Sequence, residues 1–258
     1  MTQGRRVGKR EAGLRFVIVL VLILALRYKP AVADASKPQR SLRLLHRREL
    51  PVPTWRGWLV LLGLLTLLST IGCRTIQPFL AVNDPVPGGP LVIEGWLADY
   101  ALQAAVNEFQ RRTYDGLYTT GVPLEKGAPL SEYRTYAELG AAVIAALGVA
   151  TNAVHAVPAP DVRRDRTYTS AVALREWFAG QGRGVKQLTV VSVGAHARRT
   201  RLLYEFAFGP EVRIGVICVP DREYEPDRWW ASSAGVRDVV DETVAYLYAR
   251  FVFDPPAD

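Results

Sequence analysis

The sequence predicts an α/β domain with a mainly parallel five-stranded sheet, preceded by one or two membrane segments. Three observations carry this. From about residue 90 onward, five short β-rich runs alternate with five stretches of helical spacing. The runs are almost continuously apolar, as strands covered on both faces are. Before them lie two apolar runs bounded by arginine, Phe16–Leu26 and Gly57–Cys73.

Taken in order, the first strand is read at 91–96 and a helix at 99–112, with Leu102, Ala105, Val106 and Phe109 on one face and Asp99 as its N-cap. A strand at 116–121 precedes a helix at 131–148, capped by Ser131 and ended by Gly148. A strand at 152–158 leads to a helix at 166–180, and one at 186–194 to a helix at 195–209. A fifth strand at 211–220 precedes a last helix over about 229–251. The Pro/Gly-rich stretch 83–90 reads as a linker. The expected organisation is a basic segment 1–56 containing the run 16–26, a transmembrane helix 57–73, a linker 74–89 and the α/β domain 90–253.

Charge is unevenly placed. Residues 1–87 hold 14 Lys or Arg against 4 Asp or Glu, whereas residues 88–258 hold 18 against 21. The basic excess therefore lies beside the apolar runs and not on the domain, which argues against a nucleic-acid partner and for the lipid bilayer. Gly57–Cys73 reaches the lower length limit for a span, while Phe16–Leu26 is short and reads as an interfacial, signal-like or tilted segment. Eight Lys or Arg lie between the runs and only Arg74 in 74–87. One crossing at 57–73, with the basic loop cytoplasmic and the domain outside, satisfies that asymmetry. Cys73 and Cys218 are read as unpaired, and no CxxC or His/Cys cluster suggests a metal.

In a parallel sheet, ligands bind where strands end and helices begin. The corners of this chain collect Glu94, Gly95, Thr120, Gly121, Arg163, Arg164, Asp165, Arg166, Thr167, Ser192, His196 and Arg199. Helix starts and arginine forks suit an anion. A carboxylate such as Glu94, ending an apolar strand, needs a partner or a ligand. His196 at a helix start can exchange a proton. His155, in mid-strand, reads as a core residue. Dinucleotide, P-loop and nucleophile-elbow glycine motifs are absent.

The motifs VIEGW, YTTG, TYTSA (167–171) and SVGAHARRT (192–200), in that order, resemble those of the YdcF/SanA/ElyC-like bacterial proteins. The likeness covers about 90–250, with Glu132 or Glu138 matching the family's helical acid. Glu94 and Trp96 stand where glycines are usual, Ser170 replaces an Asn, and Thr200 replaces an Ala. The resemblance implies a Rossmann-like three-layer α/β/α fold, an N-terminal anchor in the bacterial inner membrane, and a link to envelope or cell-wall precursor metabolism. It leaves the cofactor open, although nucleotide-type ligands have been proposed for the family.

The functional expectation is a membrane-anchored domain that binds or processes a phosphorylated or otherwise anionic small molecule. Glu94 and His196 are the proton-transfer candidates. Gly95, Thr120, Gly121, Arg166, Thr167, Ser170, Ser192 and Arg199 are the ligand-binding candidates. The alternatives are an envelope factor that docks a membrane protein through Trp229, Trp230, Tyr246, Tyr248 and Phe251, or a cytoplasm-facing enzyme for a nucleotide-type ligand.

Overall fold

The structure is a computed structural model that describes residues 53–256. The run Phe16–Leu26 lies outside the described residues.

Helix α1, Trp55–Leu80, is 26 residues long, about 39 Å at the α-helical rise. Its most apolar window has a mean hydropathy of 1.9 and no burial within the protein, so by length and composition it can cross a membrane. It extends beyond the expected 57–73 because the Thr54 hydroxyl caps its first turn and its last turns dock on the domain. Leu80 and Gln77 are buried, and Cys73 and Ile76 pack with Ala195, Tyr224, Trp229 and Val239. Trp229 Nε1 donates to the Cys73 carbonyl at 2.7 Å, and Arg198 donates to the Phe79 carbonyl while covering its ring.

The segment 83–90 joins α1 to the first strand and is itself stitched down. Asp84 forms an antiparallel bridge with Val216, and the Val86 amide and carbonyl bond the Thr189 hydroxyl at 3.1 and 2.9 Å. Helix α1 and the α/β domain therefore meet through packed contacts, without a free tether.

Five parallel strands follow: β1 (Leu91–Glu94), β2 (Leu117–Gly121), β3 (Val154–Pro158), β4 (Gln187–Val193) and β5 (Arg213–Val219). Their order is β3-β2-β1-β4-β5. The helices are α2 (Asp99–Arg111), α3 (Tyr136–Ala146), α4 (Arg166–Gly180), α5 (Ala197–Phe208) and α6 (Ser233–Phe251). Successive strand residues point to opposite faces, which gives two cores. Leu91, Ile93 and Leu117 pack with Leu102 and Val106 of α2 and Ile144 of α3. Val92, Tyr118 and Val190 pack with Leu174 and Phe178 of α4 and Leu203 and Tyr204 of α5.

Two expected caps move. The α3 helix begins at Tyr136, not Ser131, because Thr135 and Glu138 form a reciprocal capping box. Glu138 accepts the Arg134 and Thr135 amides at 2.7 and 3.0 Å, while the preceding backbone pairs with Pro123. At α2, Ala98 holds the N-cap position without a side-chain bond. Asp99 is the first helical residue, where its charge still opposes the dipole. The last helix begins at Ser233, after a 3-10 segment Pro226–Ala231. The Ser232 hydroxyl caps it through the Gly235 amide.

Candidate functional site

β1 and β4 are neighbours whose chains then leave toward opposite edges of the sheet, β1 through α2 to β2 and β4 through α5 to β5. At such a reversal the loops part and leave a crevice at the carboxyl ends of the strands. A cavity of about 760 Å³ opens there, and Glu94, Thr120, Gly121, Arg166, Thr167, Ser170, His196 and Arg199 all line it. Eight of the ten candidates are thus brought to one wall system. Gly95 and Ser192 lie behind it.

Gly95 serves packing. A Cβ there would sit 2.1 Å from the Tyr136 carbonyl oxygen, so only glycine lets α3 approach β1 this closely. Ser192 is fully buried and holds Glu94, to which its hydroxyl donates at 2.8 Å. The Thr200 hydroxyl donates to the same oxygen at 3.3 Å. Glu94 itself is only 3 % exposed, so its buried carboxylate is held by the hydroxyls of Ser192 and Thr200.

The other Glu94 oxygen lies 3.5 Å from His196 Nε2. That is too long for an ordinary hydrogen bond, and Nε2 is a buried atom with no hydrogen-bond partner. The opposite ring nitrogen is held firmly, with Nδ1 2.9 Å from Glu242 Oε1. A carboxylate can only accept, so the proton belongs on Nδ1. Arg199 Nη2 also approaches Nδ1 at 2.9 Å, but two donors cannot bond each other. Both converge on Glu242, which takes the guanidinium in two bonds of 2.8 and 2.9 Å. The Trp96 ring stands edge-on to the imidazole, with centroids 5.2 Å apart, and also lines the cavity.

The electrostatics follow from this packing. Burial alone would lower the His196 pKa, but the charge of nearby Glu94 and the hydrogen bond to Glu242 outweigh it and raise it to about 9. At neutral pH the imidazole therefore carries both protons. Burial opposes ionisation of Glu242, but the bonds from Arg199 and His196 reverse that and hold its carboxyl far below the usual range. Two cations and two carboxylates form one buried quartet.

The cavity's charges are segregated. Where the β3–α4 loop lines it, Arg163, Arg164 and Arg166 stand with Asp165 and Glu125. Arg166 is paired with Glu125, whereas the side chains of Arg163 and Arg164 make no ion pair or hydrogen bond with another described residue. Asp165 takes a left-handed conformation, φ 57°, at the N-cap of α4 and makes no side-chain cap bond. Where the loop after β5 and α6 line the cavity, Asp221, Glu223, Asp238 and Glu242 stand with Arg199 and His196.

Sequence reasoning missed Glu242, 46 residues beyond His196 on α6. A signal existed: His196 and Arg199 are one helical turn apart, so they share a face and call for a common counter-charge. Glu132 is exposed and Glu138 is spent on the α3 cap, so neither lines the cavity. His155 is stacked against Tyr118 and near Trp177, as a packed strand residue should be. Cys73 and Cys218 are unpaired thiols. Among the described residues, no group of His, Cys, Asp and Glu is arranged to hold a metal.

Comparison with protein-family models, with curated proteins and with solved structures found no match for this chain.

Proposed function

We propose that the domain is a Rossmann-like, three-layer α/β/α module that binds a phosphorylated or otherwise anionic small molecule in the switch-point cavity, with His196 as the proton donor. The observation that carries this is the buried imidazole whose Nε2 lacks a hydrogen-bond partner while Nδ1 is fixed by Glu242. A protonated ring so held can give a hydrogen bond, or a proton, to an oxygen entering the cavity. Arg163, Arg164 and the uncapped start of α4 supply the attraction for the anionic group.

The acidic wall refines the ligand. A polyanion filling the whole cavity would meet Asp221, Glu223 and Asp238, so the negative group belongs at the arginine end and a neutral or cationic part at the other. The resemblance to YdcF/SanA/ElyC-like proteins and the span at α1 favour a ligand of the bacterial envelope, with the chain a single-pass inner-membrane protein whose domain faces outward. That orientation agrees with the eight basic residues between the two apolar runs.

The experiment is native mass spectrometry of the full chain purified from membranes, looking for a retained phosphorylated metabolite. It is followed by thermal-shift titration of the identified compound with H196N and R163Q/R164Q. The reading requires that the double variant bind the compound at least about tenfold more weakly, the cost of losing charge-assisted bonds. Equal binding by both variants and the parent would remove it.

A further inference from the structure

A second cavity lies where α1 leaves its apolar stretch. It has a volume of about 460 Å³ and is lined by Cys73, Arg74, Pro78, Asp227, Arg228 and Trp230, together with Pro226. We propose that this cleft binds the phosphodiester headgroup of a membrane phospholipid at the bilayer surface. The inference rests on reading α1 as a membrane span and is independent of the ligand proposed for the switch-point cavity.

Position comes first. The apolar run ends at Cys73, and Trp229 donates its indole N–H to the carbonyl of that residue. Trp229 is buried, so the 3-10 segment Pro226–Ala231 is anchored at the height where the helix exits. Its neighbour Trp230 turns outward, 42 % exposed, with its ring edge-on to Trp229 at 5.9 Å. An indole at that level suits the headgroup region, where apolar body and polar N–H are both satisfied.

Chemistry comes second. Neither the Arg74 nor the Arg228 side chain makes an ion pair or hydrogen bond with another described residue, although most arginines of the domain are engaged with carboxylates, carbonyls or rings. Two guanidiniums on one cleft offer ten N–H donors and no acceptor, a match to phosphate oxygens. Arg228 also departs from its 3-10 segment, at φ −138° and ψ 32°. Asp227 adds one acceptor. Pro78 has no amide hydrogen, so the Arg74 carbonyl lacks its helical partner and is a further acceptor near the cleft. A phosphate flanked by a hydroxyl or ammonium group satisfies both the donors and the acceptors. The quaternary headgroup of phosphatidylcholine satisfies the donors alone.

The test uses the full chain in detergent, titrated with phosphatidylglycerol, phosphatidylethanolamine, phosphatidylcholine or inorganic phosphate and read by native mass spectrometry, with R74Q/R228Q alongside. Both arginines are exposed, and a thermal melt matching the parent's confirms that the variant is folded. Expected is retention of one phosphatidylglycerol or phosphatidylethanolamine, weakened about tenfold or more in the variant and undisturbed by millimolar phosphate. Displacement of the lipid by phosphate alone would assign the arginines to a free anion and overturn the lipid claim, as would equal retention by variant and parent. Carbonate extraction of membranes is run in parallel: release of the chain would show that α1 does not span, a failure separable from loss of the headgroup site.

Discussion

The two ends of the switch-point cavity are built differently. On the β5 side, Glu94, His196, Arg199 and Glu242 are each about four-fifths buried or more and are held to one another by ion pairs. On the β3 side, the arginines sit in an exposed loop, and the Arg166–Glu125 pair is about half exposed on both members. The buried quartet at the first end is preorganised and its charges offset one another. The second is adaptable, and its charge is available to a ligand. Under the proposed function, that division holds the proton donor still while leaving the arginines free to meet the anionic group.

The sharpest way to break the comparison is at the buried end. Glu242→Ala removes the shared acceptor and leaves Arg199 and His196 without their partner, at a cost of about 3–5 kcal/mol. For a domain of this size that is a fall in Tm of roughly 6–20 °C, measured by thermal denaturation.

The next effect is on pH. The His196 pKa is raised in the fold, so its stabilising contribution is complete below the unfolded value near 6.5 and is lost as pH rises through about 9. That contribution is on the order of 3 kcal/mol. Glu242 is depressed, so its contribution is present above its ordinary range and lost as pH falls. Stability from the quartet is therefore greatest between about pH 5 and 6.5, and chemical denaturation across pH 5–10 should show the decline on the alkaline side. In Glu94→Gln the decline should move toward neutral pH.

Smaller is Ser192→Ala, which removes one donor from the buried Glu94 and should cost about 1–2 kcal/mol by urea denaturation. Smallest is the exposed end, where Glu125→Gln, which breaks the pair with Arg166, should change stability by less than about 1 kcal/mol. A large loss there would show that the two ends are not so different.

What the sequence made legible follows the same division. Strand and helix order was readable because each element has a strong period or apolar run, and the corner rule led to Glu94, Thr120, Thr167, His196 and Arg199 on one cavity. Glu242 was not, because its partnership depends on where α6 returns across α5, and no local pattern encodes that. The α3 start was misplaced because Ser131 offers a cap in isolation, whereas Thr135 with Glu138 satisfies two amides at once. The stretch 83–90 looks like a linker from its prolines and glycines. Its bridge to Val216 and its bonds to Thr189 depend on β4 and β5, more than a hundred residues away.

The proton state of His196 tests the account most directly. NMR titration of the imidazole in the full chain, assigned by comparison with H196N, should show Nδ1 and Nε2 both protonated at neutral pH and a midpoint near 9. A midpoint at or below the ordinary histidine value of about 6.5 would mean that Glu94 and Glu242 do not hold the ring charged, and the proposed donor would not exist.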